Sequence, residues 1–239
     1  MTKQKKDLVD KLYYGKDPFQ GFAEKYDVDK EKDLHDLFAW NSQHEYLHDS
    51  LDKTKGSWIL ELGVWKGGSA IHLAKKLKEK GEGVVVCLDS WLGCQLLFNH
   101  NGVQSSLKKE FGRPDIWKAF YSNIIYHDVQ NYILPIHLDS ISGLRLLNGK
   151  HRNGYKFYFD VVHHDATHVS PYLYNDLIEV KDLVLDDSHI LVDDYIQTGA
   201  PEFDAMDFSG VIKDTNNFAR EFNYSLESKP NKARLIKNV

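Results

Sequence analysis

Residues 60 to 69 read Leu60-Glu61-Leu62-Gly63-Val64-Trp65-Lys66-Gly67-Gly68-Ser69, and this stretch decides the fold. An apolar run (Trp58, Ile59, Leu60, Leu62) precedes it, and a helical pattern (Ala70, Ile71, Leu73, Ala74, Leu77) follows. Strand, tight glycine turn and helix start bring backbone N–H groups close to a nucleotide-like ligand. The spacing is E-x-G-x-x-x-G and not the G-x-G-x-x-G of dinucleotide sites. A carboxylate where the strand ends repels pyrophosphate but suits a ligand carrying an ammonium and a sulfonium. The plain alternative for this segment is an ordinary strand-to-helix turn.

The pattern then repeats. Val84-Val85-Val86-Cys87-Leu88-Asp89 is a β-branched run ending in an acid, followed by Ser90-Trp91-Leu92-Gly93. An acid at the tip of the second strand can accept hydrogen bonds from both ribose hydroxyls. Trp91 could stack on an adenine or pack in the core. Ile133-Leu134-Pro135-Ile136-His137-Leu138 reads as a third strand, ending in Asp139-Ser140, where an adenine amino group could be met. The fourth run ends in His163-His164-Asp165 and the fifth, Ile190-Leu191-Val192, in Asp193-Asp194. If these strands are neighbours, three carboxylates converge. Such a group raises the pKa of a member or recruits a cation. All-oxygen ligands suit Mg²⁺ or another hard divalent ion. Consecutive strand residues face opposite sides, so Asp193 and Asp194 converge only if the strand breaks at its tip.

With these residues the chain resembles class I S-adenosylmethionine-dependent methyltransferases. More narrowly, it resembles the metal-dependent O-methyltransferases related to the macrocin and mycinamicin sugar enzymes and to cephalosporin-pathway proteins. The residues that carry the likeness are Glu61-Leu62-Gly63 with Gly67 and Ser69, Asp89-Ser90-Trp91-x-Gly93, Asp139-Ser140, Asp165-x-x-His168 with Asp176, and Asp193-Asp194-Tyr195. It spans residues 55 to 222 or so; Asp186-Asp187-Ser188-His189 stands where the family has a Gly-Gly turn.

The resemblance implies a Rossmann-like, seven-stranded, mostly parallel sheet with helices on both faces and one antiparallel strand near the C-terminus. It implies S-adenosylmethionine held by Glu61, Gly63, Gly67, Ser69, Asp89, Ser90, Trp91, Asp139 and Ser140. Mg²⁺ would be held by Asp165, Asp193 and Asp194, with His168 or Asp165 as the base. The acceptor would be a hydroxyl of a small molecule: a vicinal diol, sugar or catechol. Tyr195, Gln197 and Thr198 are candidates for touching it. Asp176 reads as a supporting acid, and Trp65 and Lys66 are expected to face solvent or the cofactor tail.

The chain has 239 residues, enough for one α/β domain with additions. Its formal net charge of −5 leaves no whole-chain footprint for nucleic acid. The basic residues near the ends (Lys3, Lys5, Lys6; Lys229, Lys232, Arg234, Lys237) read as solvated termini. The polar N-terminus lacks a signal-peptide core, and no apolar stretch approaches the ~20 residues needed to span a bilayer. Cys87 and Cys94 form no disulfide framework. A cytoplasmic protein without membrane or nucleic-acid partners is the expectation.

Residues 1–53 read as a helical extension and 54–239 as the catalytic domain. Leu34, Leu37, Phe38, Trp40, Tyr46, Leu47 and Leu51 suggest an amphipathic helix, whereas aromatic-rich residues 8–27 suggest an irregular arm. That arm could cover a substrate pocket, join two copies in a homo-oligomer or pad the core. Strands at 57–62, 83–89, 132–138, 156–165 and 189–194 alternate with helices at 68–80, 113–127, 140–148 and 171–184, which predicts βαβ units and a parallel sheet. Residues 94–112 interrupt the rhythm as a lid-like insertion. A helix at 209–222 and a closing hairpin complete the chain.

Two other readings stand beside the methyltransferase. His163, His164, Asp165 and His168 could form a mixed nitrogen–oxygen site of a metallohydrolase. The strand tips could also belong to a non-catalytic nucleoside-binding module.

Overall fold

A computed structural model describes residues 1–35, 42–93, 109–155, 157–195 and 209–238. Its centre is a seven-stranded sheet built from β1 (Trp58–Leu62), β2 (Val84–Asp89), β5 (Ile133–His137), β6 (Phe159–His164), β7 (Val184–Asp193), β8 (Tyr224–Lys229) and β9 (Lys232–Lys237). A separate two-stranded hairpin joins β3 (Lys109–Glu110) to β4 (Arg113–Pro114). The sheet order is β5-β2-β1-β6-β7-β9-β8. The first five strands are parallel, and β9 runs antiparallel to both β7 and β8. Of the insertion at 94–112, residues 94–108 lie outside the described residues, and the rest leads through the β3–β4 hairpin.

Helices cover both faces. They are α1 (Lys3–Leu12), α2 (Phe22–Lys25), α3 (Val28–Glu31), α4 (Glu45–Lys53), α5 (Gly68–Lys80), α6 (Ile116–Tyr126), α7 (Ser140–Arg152), α8 (Tyr172–Val180) and α9 (Ser209–Glu221). Strand alternation divides the core. Leu60, Leu62, Val86, Leu88 and Val162 pack on the side of α1, α7, α8 and α9. Ile59, Val85, Cys87, Val161 and Leu191 pack on the side of α4, α5 and α6. None of these ten side chains is exposed, which is why the strands read as apolar runs and not as alternating ones.

Several sequence expectations need correction. Residues 8–12 belong to a regular helix: Thr2 caps α1 by accepting a hydrogen bond from Lys5 N, and Leu8 and Val9 enter the core. Lys5 is not a solvated terminal charge. It is fully buried, 2.7 Å from Asp17 and 2.8 Å from the Gln130 carbonyl. Lys232 and Arg234 are buried as well, because their strand lies inside the sheet. The fifth parallel strand starts at Val184, earlier than expected. Residues 185–188 stand opposite Asp160 alone, so the acidic segment is accommodated as a bulge within the strand. Of the amphipathic pattern, residues 36–41 lie outside the described residues, and α4 buries Tyr46, Leu47 and Leu51.

The tight turn after β1 depends on Gly63. Its φ is +76°, and a Cβ there would lie 2.2 Å from the Asp165 carbonyl oxygen. Gly81, at the end of α5, shares the left-handed backbone (φ +79°) but has open space around it. Gly81→Ala is expected to cost about 1 kcal/mol, the price of left-handed backbone alone. Gly63→Ala adds a collision with backbone and is expected to cost roughly 3 kcal/mol or more. Urea unfolding of the two variants checks the difference.

Candidate active site

Parallel register brings the strand ends to one edge. Leu62 lies beside Leu88 and His164, Asp89 beside His137, and His164 beside Val192. The next residues along β6 and β7, Asp165 and Asp193, therefore stand side by side. Glu61, Asp89, Asp165 and Asp193 all belong to this carboxyl edge, the ligand edge of open α/β sheets.

At the β1–β2 end, Asp89 organises the glycine turn. Its Oδ2 accepts from Val64 N (2.8 Å) and Trp65 N (2.9 Å), and its Oδ1 accepts from Trp91 N (2.7 Å). Burial raises the pKa of this carboxyl, with the backbone donors pulling the other way. Gly67 (φ 93°) then sets the start of α5. Ser69 Oγ donates to Glu61 Oε1, and the same oxygen lies 3.1 Å from His163 Nδ1. Glu61 is fully buried, which pushes its pKa up to about 8, and its Oε2 has no hydrogen-bond partner.

Three other expected cofactor residues have protein partners of their own. Trp91 is 1% exposed, its indole packed against Phe120 and His137 and its Nε1 donating to the Trp65 carbonyl. Ser90 Oγ accepts from Leu92 N. Asp139 accepts from Ser142 N in the first turn of α7, next to Ser140. Burial works to raise the Asp139 pKa, but the Ser142 hydrogen bonds outweigh it and the pKa falls.

Lys66 corrects another expectation. It is 7% exposed and paired with Asp33 of the N-terminal segment at 2.7 Å. Asn123 ties the same place together, donating to the carbonyls of Asp33 and Lys66.

At the β6–β7 end, the strand does break at its tip. Asp193 is the last residue of β7, and Asp194 turns out with φ 54°. Asp194 Oδ2 comes 3.2 Å from His168 Nε2, and Asp165 Oδ1 comes 3.6 Å from the same nitrogen. Donor atoms of Asp165, His168 and Asp194 lie within 4.8 Å of one another, as do those of His163, Asp165 and Asp193. These hard oxygens fit a divalent cation. Burial, followed by the charge of Asp193, pushes the Asp165 pKa up to about 7. Burial would lower the His168 pKa, but Asp165 and Asp194 outweigh it and the pKa rises.

His163 and His164 diverge, as adjacent strand residues must. His163 sits with Glu61 on one face; on the other, His164 Nε2 is 3.0 Å from Asp176 Oδ2. The four-residue cluster imagined for a hydrolase is thus divided by the sheet. Tyr195 is 5% exposed and donates to Asn216 Oδ1, whereas Gln197 and Thr198 lie outside the described residues.

Sequence reasoning missed Lys232. Its Nζ is 2.6 Å from Asp193 Oδ1 and 2.8 Å from His163 Nε2, with no exposed surface. The alternation Lys232-Ala233-Arg234-Leu235 was the available signal for a half-polar strand. An aromatic cleft of about 410 Å³, lined by Phe22, Tyr26, Trp117, Tyr121, Arg113 and His137, opens beside β5, away from the acids of β6 and β7.

Burial of Glu61 has a measurable consequence. Its folded pKa (about 8) lies above the ordinary 4.5, so its contribution to stability is complete below 4.5 and lost as pH rises through 8. Glu61→Gln, which cannot ionise, is expected to gain stability relative to the parent between pH 5 and pH 8. Urea unfolding at both pH values measures the gain; an unchanged difference would refute the burial assignment.

Residues 60–195, more than half of the chain, match the family model described as "Methyltransferase domain". No curated protein matches the sequence. Among solved structures, the O-methyltransferase TomG from Streptomyces achromogenes, in complex with SAM, is similar at TM-score 0.54 and 17% identity, covering 100% of both chains. An O-methyltransferase from Bacillus cereus in complex with SAH is similar at TM-score 0.51 and 16% identity, covering 98% of this chain and 97% of that one. The O-methyltransferase NovP reaches TM-score 0.60 at 14% identity, covering 83% of this chain and 80% of that one. With its sheet order, its glycine turn and the matched residues, the chain belongs to the methyltransferase domain family, as a class I S-adenosylmethionine-dependent methyltransferase.

Proposed function

We propose that this protein transfers a methyl group from S-adenosylmethionine to a hydroxyl of a small molecule, with help from Mg²⁺ or a similar hard cation. The observation that carries the reading is the division of labour along one sheet edge. The glycine turn and Asp89 follow β1 and β2, and Asp165, His168 and Asp194 follow the next two strands of the sheet, β6 and β7. Solved neighbours that hold SAM or SAH and are named O-methyltransferases support it.

In this reading the backbone between Gly63 and Gly67 cradles the cofactor. Asp89 accepts from the ribose hydroxyls while its backbone bonds keep the turn in shape. Glu61 lies beneath, held by Ser69 and His163, and supports the turn at the amino-acid end of the cofactor. Asp139 and Ser140 face the nucleoside from the β5 side. Bound cofactor supplies an electrophilic methyl group, and a cation held by the strand-tip aspartates supplies Lewis acidity to the acceptor oxygen. His168, oriented by Asp165 and Asp194, takes the hydroxyl proton. The oxygen then forms its bond to carbon as the sulfur–carbon bond breaks, and proximity accounts for much of the rate. A vicinal diol, sugar or catechol fits, because two neighbouring oxygens can chelate one ion.

Calorimetric titration with S-adenosylhomocysteine tests the cofactor half. The parent is expected to bind in the micromolar range and Asp89→Ala to lose at least about tenfold, since the substitution removes the ribose acceptor and three loop hydrogen bonds. Absence of any binding to the parent would remove the function. Asp165→Asn is expected to retain cofactor affinity and lose transfer of labelled methyl to a panel of catechols and glycosides. Undiminished transfer by Asp165→Asn would eliminate that residue from the chemistry.

A further inference from the structure

Away from the strand tips, two histidines on neighbouring helices meet head-on. His48 of α4 and His72 of α5 bring their Nε2 atoms to 2.6 Å. The rings stand nearly perpendicular (84°), with centroids 4.4 Å apart. Both residues are half-buried, on the face of the sheet that α4, α5 and α6 cover. Packing that does not involve the rings holds the two helices together. α4 is anchored by Tyr46, Leu47 and Leu51 and α5 by Ile71, Leu73 and Ala74, all buried. Lys80 Nζ, at the far end of α5, donates to the Leu51 carbonyl. The two nitrogens are therefore brought together by the fold, as a preorganised pair.

A neutral imidazole offers one N–H and one lone pair. Two Nε2 atoms this close need something between them: a proton, or a cation that accepts a lone pair from each. Burial first, and then His48, Lys76 and Lys75, lower the His72 pKa, with Glu79 pulling the other way. These effects favour the neutral ring, which is the form that binds metals. Paired imidazoles suit borderline ions such as Zn²⁺, whereas the strand-tip oxygens suit hard ones. Zn–N bonds of about 2.0–2.1 Å set two ligand nitrogens roughly 3.3 Å apart, a small side-chain adjustment from the pair as it stands. Among the described residues no third His, Cys, Asp or Glu joins the group, which leaves the remaining positions to water. We infer that His48 and His72 form a two-histidine site for Zn²⁺ or a similar borderline cation, which staples α4 of the N-terminal extension to α5. The staple stands close to the glycine turn, since Ser69, three residues before His72, donates to Glu61 beneath that turn. The site shares no residue with the strand-tip acids and does not depend on the methyltransferase reading.

Zinc binding to the full chain, followed by calorimetry above pH 7, tests the inference without turnover. The parent is expected to bind a Zn²⁺ ion whose affinity falls by about tenfold or more in His48→Ala and equally in His72→Ala, since each removes one of two nitrogen ligands. His168→Ala, altered at the strand tips, is expected to keep that ion. Zn²⁺ is also expected to raise the thermal midpoint of the parent by more than that of either histidine-pair variant. Alanine is the best helix former, so both half-buried helix positions are expected to tolerate it; circular dichroism identifies the variants that fold, and either one suffices. A parent that binds no Zn²⁺ overturns the inference. So does binding left intact in a folded His48→Ala or His72→Ala variant, or binding lost in His168→Ala alone.

Discussion

Carboxylates buried or half-buried at the carboxyl edge of the sheet must find donors or counter-ions, and satisfying them organises this molecule. An unpaired charge away from water is among the costliest features a fold can hold. Each acid here is answered from a different element. Asp89 takes three backbone N–H groups of two loops. Glu61 takes Ser69 from α5 and His163 from β6. Asp193 takes Lys232 from β9. Asp165 and Asp194 meet at His168. The site and the joints between elements are therefore the same set of interactions.

The N-terminal segment belongs to this scheme. Lys5, buried in α1, bonds Asp17 and the Gln130 carbonyl, and Tyr13 donates to the carbonyl of Pro135 on β5. Asp33 reaches across to Lys66 in the glycine turn, and Asn123 of α6 holds both. The segment thus fastens the glycine turn from outside the sheet. The aromatic side chains that look irregular in sequence, Phe19 and Phe22, pack on Tyr121 of α6. Among the described residues no helix is long and apolar enough to cross a membrane.

Strand periodicity explains which functional expectations separate in space. Adjacent residues of one strand cannot share a ligand, so His163 serves the Glu61 side and His164 serves Asp176. Asp193 and Asp194 escape the same rule only because Asp194 leaves the strand in a left-handed turn. Even then they part company, Asp193 inward to lysine and Asp194 outward to histidine.

Much of this was legible in the residues themselves. Apolar runs alternating with amphipathic segments specify a parallel α/β sheet, because strands buried on both faces must be apolar throughout. Acids at the ends of those runs mark the ligand edge, because parallel crossovers return every strand in the same direction. Gly63 announces a turn that admits no side chain. Other features could be decided only by long-range contact. Nothing local distinguishes Lys232, buried on an internal strand, from Lys229, 41% exposed at the hairpin end. Trp91 packs inward because Phe120 and His137 flank it. Sequence determines which chemical groups reach the edge; tertiary structure decides which of them are already neutralised, because a partner's charge acts across strands that lie far apart along the chain.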